Sequence, residues 1–395
     1  MRFPSWLPWL LGLLTAIGPA SIDMYLPAFP AIETSLHSSP GSAQLTLASY
    51  FAGLAIGQMT QGTLSDRFGR RRPIMAGTIV YALAAVGCAL SPSIFWLSLF
   101  RAISAVGAAA STVIPRAIVR DLATGQAAAV MMSQLTLVLG AAPILAPSLG
   151  GAILIFANWR WIFWVLAAYA VLCCILVRFL LPDTLPPERR IRLNVSDQLG
   201  RFGAILRERS FLSHAAMGCF ASFAFFTYLG GSSPVFIRGF HLSPSRYALI
   251  FGVCSLGLIA SSQINARILP RFGMWRVLRA VGRIHLCATL TLAVVAFSGA
   301  HDFLLVYLPI FVAVSCMGFL NPNAVVGALT HHAHHAGSAS ALMGTGQFLL
   351  GAIGGLLVGI FTDGTPRGMA ALMLLGSIAL VIADLYRPRP VSVRL

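Results

Sequence analysis

The chain has 395 residues, of which 57% are hydrophobic and 10% charged, and its mean hydropathy is +0.83. A soluble domain carries about 25% charged residues, so this composition excludes an ordinary soluble protein and indicates one that lies in a lipid bilayer. The formal net charge of +16 comes from 27 basic residues, all arginines and mostly in short loops between apolar runs. No compact nucleic-acid-binding surface is therefore expected.

The N-terminal apolar run and the cysteines could each suggest processing or redox chemistry. The run from residue 6 to residue 20 follows Arg2 and has the look of a signal peptide, but it continues through Asp23 to Pro30 without a small-residue cleavage site. We interpret it as a retained first helix. All seven cysteines fall inside apolar runs, without disulfide or zinc-ligand spacing, so no metal or redox role is predicted.

Apolar runs separated by turn and charge signals predict twelve membrane-spanning helices in two bundles of six. The first bundle occupies residues 1–181, a polar cytoplasmic linker residues 182–210, and the second bundle with a short tail residues 211–395. The predicted spans are 6–30, 44–65, 73–91, 94–116, 129–156, 160–181, 211–236, 245–266, 275–298, 303–326, 338–361 and 367–386.

The distribution of arginines predicts the orientation. With the N-terminus in the cytoplasm, 22 of the 27 arginines fall on the cytoplasmic side and four on the outer side, while Arg101 lies within a span. Because cytoplasmic loops of membrane proteins carry an excess of positive residues, both termini are predicted to be cytoplasmic.

Three short patterns recur at one offset of 204 residues. Pro30 recurs as Pro234, residues 67–69 (Arg-Phe-Gly) recur as 271–273, and residues 150–151 (Gly-Gly) recur as 354–355. Parallel repeats of this kind build transporters in which two bundles rock about a substrate site.

The loop after the second predicted helix carries the strongest local signal. Residues 62–72 read GTLSDRFGRRR, which resembles the G-x-L-x-D-R-x-G-R-R signature of the major facilitator superfamily. A plain positively charged loop is the alternative. The residues of this loop, with two after the fourth helix, are candidates for a cytoplasmic gate: Gly62, Asp66, Arg67, Gly69, Arg70, Arg120 and Asp121. Surface charges of little energetic worth are the alternative for the charged members.

Other motifs resemble one branch of that superfamily. They are residues 23–30 (DMYLPAFP), 116–121 (RAIVRD), 158–164 (NWRWIFW) and 181–185 (LPDTL). Together they resemble the Bcr/CflA family of bicyclomycin- and chloramphenicol-resistance proteins, over nearly the whole chain. The resemblance implies twelve helices, efflux driven by the proton gradient without a cofactor, and small amphipathic substrates.

The fifth and fourth helices carry two further motifs. Pro143, Pro147, Gly150 and Gly151 resemble the antiporter motif G-P-x-x-G-G, with alanine in place of glycine before each proline. Simple helix packing would use the same small residues. Residues 101–107 (RAISAVG) resemble the family's R-x-x-Q-G-x-G motif, but Ser104 and Ala105 replace the usual glutamine and glycine.

Asp23 and Arg101 are the clearest ionisable residues within spans. Such a residue costs about 2.5–3.5 kcal/mol on insertion scales, which points to a function. Each lies seven residues from the outer end of its helix, roughly 10 Å deep. We predict that Asp23 carries the proton and is paired with Arg101, which agrees with the coupling residues of the resembled family. A static ion pair is the alternative.

Aromatic and polar residues within the spans are weaker candidates for substrate contact, and each taken alone is more often a packing residue. They are Tyr50, Phe223, Phe226, Tyr228, Asn321, Asn323 and Gln347. The tract 331–335 (HHAHH) could bind a metal, but a solvated loop is favoured. Asp384 is predicted to pair with Arg387 at the end of the twelfth helix.

The sequence thus predicts a monomeric, multi-pass efflux antiporter of the bacterial inner membrane, exchanging protons for a drug-like or metabolite substrate. An importer or facilitator with the same fold is the second hypothesis. A membrane-embedded enzyme is disfavoured, since no span pairs a histidine with a carboxylate at useful spacing and no phosphate-binding loop is present.

Overall fold

A computed structural model describes residues 4, 6–123, 125–190, 195–299, 302–330, 332 and 336–388. Within them the regular structure is helical, and the chain divides into two compact units. The first unit comprises Met1–Asn194 with His241–Gly252, and the second comprises Val195–Phe240 with Val253–Leu395.

The first unit contains the helices of the N-terminal half. A 3-10 turn, Leu26–Ala28, follows the first helix. The helices are α1 (Leu7–Asp23), α2 (Phe29–Ser35), α3 (Ser42–Phe68), α4 (Arg71–Leu90), α5 (Ile94–Leu122), α6 (Gly125–Phe156) and α7 (Arg160–Leu180).

The second unit contains most of the remaining helices, although the start of α10 belongs to the first unit. A π-helical turn, Pro234–Gly239, extends the helix before it. The helices are α8 (Val195–Leu206), α9 (Arg209–Ser233), α10 (Pro244–Phe272), α11 (Met274–Ser298), α12 (Phe303–Leu329), α13 (Ala336–Ile360) and α14 (Arg367–Leu385).

Eleven helical segments in the described residues are long and apolar enough to cross a membrane, with Leu7–Ser35 counted as one segment. Helix α3 matches the predicted second span and has sufficient length, but it carries Gln44, Gln58 and Gln61 and is not among the eleven. The all-helical prediction is confirmed, whereas the count of twelve spans and the cytoplasmic termini stay predictions.

Small residues allow close approach of α3, α4 and α5. A Cβ added to Gly53 of α3 would lie 2.3 Å from the Ala102 carbonyl oxygen, and one added to Gly107 of α5 would lie 2.5 Å from the Gly77 carbonyl oxygen. Since real Cβ contacts are much longer, these backbones are as close as glycine permits. Small interfacial residues are the usual means of packing helices in a membrane.

The repeated Arg-Phe-Gly pattern has the same local structure in both halves. Helix α3 ends at Phe68 and α10 at Phe272, and the glycine that follows has a positive φ in each case, +88° at Gly69 and +74° at Gly273. Gly273 directly precedes α11, and one residue, Arg70, separates Gly69 from α4. The same helix–turn–helix connection therefore occurs in both halves of the chain.

The predicted linker, residues 182–210, includes helix α8. The apolar residues Phe202 and Ile205 of α8 are buried, and Ile205 packs with Phe211 of α9 and Met343 of α13. This part of the linker thus belongs to the second unit. The domain boundaries at residues 181/182 and 210/211 stay a prediction.

Candidate transport and coupling site

Helix α1 stops well before the end of its predicted span. The helix ends at Asp23, and the 3-10 turn around Pro27 precedes α2. Pro27 has no N–H to donate to the Asp23 carbonyl oxygen four residues earlier, which explains the interruption. The break places a carboxyl group and the last backbone carbonyls of α1 inside the first unit.

Arg101 of α5 is almost fully buried at this break, with 1% of its surface exposed. Its Nη1 donates a hydrogen bond of 2.9 Å to the Ser21 carbonyl oxygen. Its guanidinium carbon lies 4.2 Å from the ring centre of Tyr25 and 4.1 Å from that of Tyr50. The cation is thus stabilised by a helix-end carbonyl and by aromatic rings.

Asp23 is 5% exposed, and within the described part of the chain it forms no ion pair with Arg101 or any other cation. The two predicted coupling residues therefore lie in the same unit, on helices α1 and α5 that contact each other. In this conformation Arg101 binds the backbone of α1 instead of the carboxyl group of Asp23.

The proposed antiporter motif packs against the same break. Pro143 and Pro147 lie inside α6, and Gly150 and Gly151 are both buried. A Cβ added to Gly150 would lie 1.8 Å from the carbonyl oxygen of Met24, the residue after Asp23. The motif thus gives α6 direct backbone contact with the end of α1.

We expect Gly150→Ala to impair both stability and transport, because the added methyl group must push α6 away from Met24. Overpacking of this kind costs about 1–3 kcal/mol. Thermal unfolding of the purified protein in detergent and transport in reconstituted vesicles measure the two effects. Gly252→Ala is the matched control, since a Cβ at Gly252 of α10 meets nothing within 4 Å. If the two variants had the same unfolding temperature and the same transport rate, the close contact between Gly150 and Met24 would be contradicted.

Arg70 joins three segments at the other end of the first unit. It forms ion pairs with Asp66, which lies near the end of α3, and with Asp121 of α5 at 2.7 Å. Its Nη1 also donates to the Ser65 hydroxyl at 2.8 Å. Burial opposes the charge of Arg70, but the hydrogen bonds to the two carboxylates outweigh it and raise the pKa of Arg70. The guanidinium is therefore a permanently charged link.

The other predicted gate residues differ in their contacts. Arg67 lies over the ring of Phe68, with its guanidinium carbon 5.3 Å from the ring centre. Arg120 is exposed and forms no ion pair within the described residues, and a Cβ at Gly62 would meet nothing within 4 Å. The charged cluster is thus built from Asp66, Arg70 and Asp121.

Asp183 is a member of this cluster that was not predicted. Its carboxylate accepts hydrogen bonds from the backbone N–H of Arg70 at 2.8 Å and from the Nη2 of Arg190 at 3.0 Å. A Cβ added to Gly69 would lie 2.0 Å from its Oδ2. Asp183 lies within residues 181–185 (LPDTL), which we interpreted from the sequence only as a family resemblance.

Most of the predicted substrate contacts are packing residues in this conformation. Tyr50 lies beside Arg101, while Phe223 lies against Gly354 and Gly376, where a Cβ would be 3.3 Å and 2.8 Å from its ring. Phe226 stacks on Phe348 at 5.8 Å. These contacts support helix packing within each unit, and the substrate role stays a prediction.

The polar candidates of the second unit are buried or bonded to other side chains. Tyr228 is buried, and the Asn323 amide donates to the Asn265 side chain at 2.8 Å. Gln347 donates to Asn321 at 2.8 Å, and Asn321 is exposed. Asn321 and Gln347 are therefore the polar candidates that a ligand could reach most easily.

Three further ion pairs lie in the loops and near the helix ends of the second unit. Asp384 pairs with Arg387 at 2.6 Å, as predicted, and also with Arg279 at 3.1 Å. His332 pairs with Glu208. The other histidines of the tract 331–335 lie outside the described residues, and the described residues contain no group of three potential metal ligands.

Comparison with known families decides the class of the protein. The model of the major facilitator superfamily matches residues 11–355. The chain belongs to the major facilitator superfamily. Members of this superfamily are transporters, so the protein is a multi-pass membrane transporter of small molecules and not an enzyme.

Relatives within the superfamily confirm the predicted branch. The chain is 36% identical to the uncharacterised MFS-type transporter YdgK of Bacillus subtilis over 389 residues, which is 94% of each chain. It is 30% identical over 367 residues to a bicyclomycin resistance protein homologue of Haemophilus influenzae, covering 92% of this chain and 91% of the relative. A chloramphenicol resistance protein of Pseudomonas aeruginosa is 27% identical, covering 90% and 84%. The resemblance to the Bcr/CflA family is therefore confirmed.

Solved structures show that the fold is that of the superfamily. A D-xylose–proton symporter matches with a TM-score of 0.73 and 15% identity over 97% of both chains. A bacterial homologue of the human lysosomal transporter Spinster, in an inward-facing and unoccupied conformation, matches with a TM-score of 0.73 and 16% identity over 98% of this chain and 99% of that chain. At these identities the likeness concerns the fold alone.

Proposed function

We propose that this transporter is a proton-coupled efflux antiporter of the bacterial inner membrane that exports small amphipathic compounds. Two relatives that match most of the chain are named for resistance to bicyclomycin and chloramphenicol. The proton gradient supplies the energy, so no cofactor is required, and a single chain contains the complete coupling site. One observation carries the proposal: a buried carboxyl group at the end of α1, which has no cationic partner among the described residues, lies in the same unit as a buried arginine.

The coupling step follows from the cost of buried charge. A carboxylate buried without a cation is strongly disfavoured, so this conformation favours neutral, protonated Asp23. Movement of the helices that brings the carboxyl group to water or to Arg101 favours the ionised form. Asp23 then releases its proton, and in our scheme substrate binding and protonation exclude each other.

The charged cluster around Arg70 is proposed to act as the cytoplasmic gate. Arg70 links the ends of α3 and α5 and the segment after α7 through Asp66, Asp121 and Asp183. Alternating access requires an element with two discrete arrangements. A buried guanidinium with several carboxylate partners provides one arrangement that is stable and another that requires those partners to separate.

Transport in everted membrane vesicles tests the proposal. Cells that overproduce the transporter are first screened for resistance to a panel of amphipathic antibiotics, and a compound to which they become resistant is then used as the substrate. We expect everted vesicles to accumulate this compound when respiration makes their interior acidic, and a protonophore to abolish the accumulation.

An importer or facilitator with the same fold is the competing hypothesis. It predicts that everted vesicles lose the compound or only equilibrate it, and that right-side-out cells take it up. That result, or accumulation that a protonophore leaves unchanged, would contradict proton-coupled efflux.

A further inference from the structure

We propose that Tyr25 and Tyr50 are positioning residues, which hold the Arg101 guanidinium in a place where it forms no ion pair with Asp23. The inference rests on the proposed function, because it concerns how the coupling carboxyl group keeps its proton. In this role the two rings compete with Asp23 for one cation, and the strength of the competition sets the pH range of transport.

The two rings come from different helical segments and meet at one cation. Tyr25 follows the end of α1, Tyr50 belongs to α3, and Arg101 belongs to α5. The guanidinium carbon is 4.2 Å and 4.1 Å from the two ring centres, well within the range of about 6 Å in which a cation and an aromatic ring attract each other. All three side chains are buried, and the attraction is strongest where water is absent.

Tyr25 is fixed by a directed hydrogen bond. The Thr46 hydroxyl donates its single proton to the Ala43 carbonyl oxygen at 2.7 Å, so the Tyr25 hydroxyl must be the donor in its 2.9 Å contact with the Thr46 oxygen. The Tyr25 ring also contacts Phe29, with ring centres 5.0 Å apart. The ring therefore has two contacts besides Arg101 that hold it in place.

Arg101 keeps donors available for another partner. Its Nε and Nη2 are buried and have no acceptor among the described residues, and neither does the hydroxyl group of Tyr50. Donors buried without an acceptor are costly, which is why a second arrangement with a carboxylate is accessible. The rings reduce that cost in the present arrangement, so that protonated Asp23 and unpaired Arg101 can coexist.

The pH dependence of transport in proteoliposomes tests the role of the rings. In Tyr25→Leu and Tyr50→Leu the ring is lost, and Arg101 becomes freely available to the Asp23 carboxylate. Asp23 then holds its proton less tightly, so we expect the pH midpoint of transport to fall by about one pH unit. Tyr50→Phe keeps the ring and loses a hydroxyl group that has no hydrogen-bond partner among the described residues, so we expect its midpoint to stay at the wild-type value.

Other titratable groups near this site are controlled separately. Besides the two tyrosines, Tyr81 and Cys88 of α4 interact electrostatically with Arg101. Helix α6, which packs on the same break, has no charged residue. We expect Cys88→Ala to keep the wild-type midpoint, and a shifted midpoint in it would assign the titration to the thiol and overturn the proposal.

The possible outcomes separate this inference from the proposed function. If the leucine variants raise the substrate KM without moving the midpoint, the tyrosines contact substrate and the positioning role is wrong. If Asp23→Asn still shows pH-dependent exchange, the proposed function itself fails. If neither leucine variant folds, Thr46→Val decides: it removes the anchor of Tyr25, and an unchanged midpoint would overturn the proposal.

Discussion

Replacing Asp23 by asparagine is expected to abolish proton-coupled efflux while the protein remains folded in the membrane. Asparagine has nearly the same shape but cannot release a proton. A neutral residue suits this buried position because no cation in the described part of the chain pairs with Asp23. Resistance of cells that produce the variant should fall to the level of cells without the transporter. Exchange of labelled for unlabelled substrate across reconstituted vesicles, which needs no net proton movement, should persist.

The matched control for this substitution is Asp363→Asn. Asp363 is an exposed aspartate in the loop between α13 and α14, where hydrogen bonds from Thr365 lower the pKa of its carboxyl group. We expect this variant to keep full efflux, with only a small loss of loop stability. Unchanged proton-coupled efflux by Asp23→Asn would reject Asp23 as the proton carrier and favour a static role for it.

Replacing Gly69 by alanine is expected to disrupt the turn between α3 and α4 and to abolish transport. Gly69 has φ +88° and ψ 173°, a conformation open essentially to glycine alone, and the added Cβ would lie 2.0 Å from Asp183 Oδ2. Backbone strain costs about 1–3 kcal/mol, and losing the hydrogen bond from Arg70 N to Asp183 adds about 1 kcal/mol. Thermal unfolding in detergent should show a fall of several degrees.

Gly62→Ala is the control within the same motif. Gly62 lies in α3, and a Cβ at this position meets nothing within 4 Å. Because alanine favours helix over glycine by about 1 kcal/mol, we expect wild-type or slightly raised stability and wild-type transport. Equal loss of function in both variants would mean that the motif acts through its general flexibility and not through the turn at Gly69.

The ionic cluster around Arg70 shows what motif and spacing can predict. Asp66, Arg70 and Asp121 were selected from the sequence, and the structure brings all three together. Asp183 was not predicted as a member of the cluster because it lies 113 positions from Arg70 in the sequence. A contact between two loops so far apart depends on how α4, α5 and α7 are packed, and hydrophobic periodicity does not contain that information.

The neighbourhood of Arg101 was predicted less completely. Depth along a helix follows from counting residues, so Asp23 and Arg101 could be placed at a similar level in neighbouring helices. Which side of Arg101 meets which neighbour depends on the rotation of each helix and on the end of α1 at Asp23, before the span was expected to end. For that reason the two tyrosine rings and the Ser21 carbonyl were not foreseen as its partners.

Helix α8 was not predicted from the sequence, for a different reason. Averaged over residues 182–210, the segment is polar and rich in arginine. Phe202 and Ile205 nevertheless lie three positions apart, a spacing that puts both on one face of a helix, and both are buried. A short amphipathic helix inside a charged segment can be predicted only when the spacing of its few apolar residues is examined separately from the average composition of the segment.

Arg387 limits how far the C-terminal end can be trimmed. It is only 4% exposed although it lies beyond α14, and its Nη2 donates to the Trp275 carbonyl oxygen at 2.8 Å while pairing with Asp384. A reporter protein attached after Pro388 leaves these contacts whole. A chain that stops at Tyr386 removes one of the two cations beside buried Asp384, so the point of attachment or truncation decides whether a tagged transporter accumulates in cells.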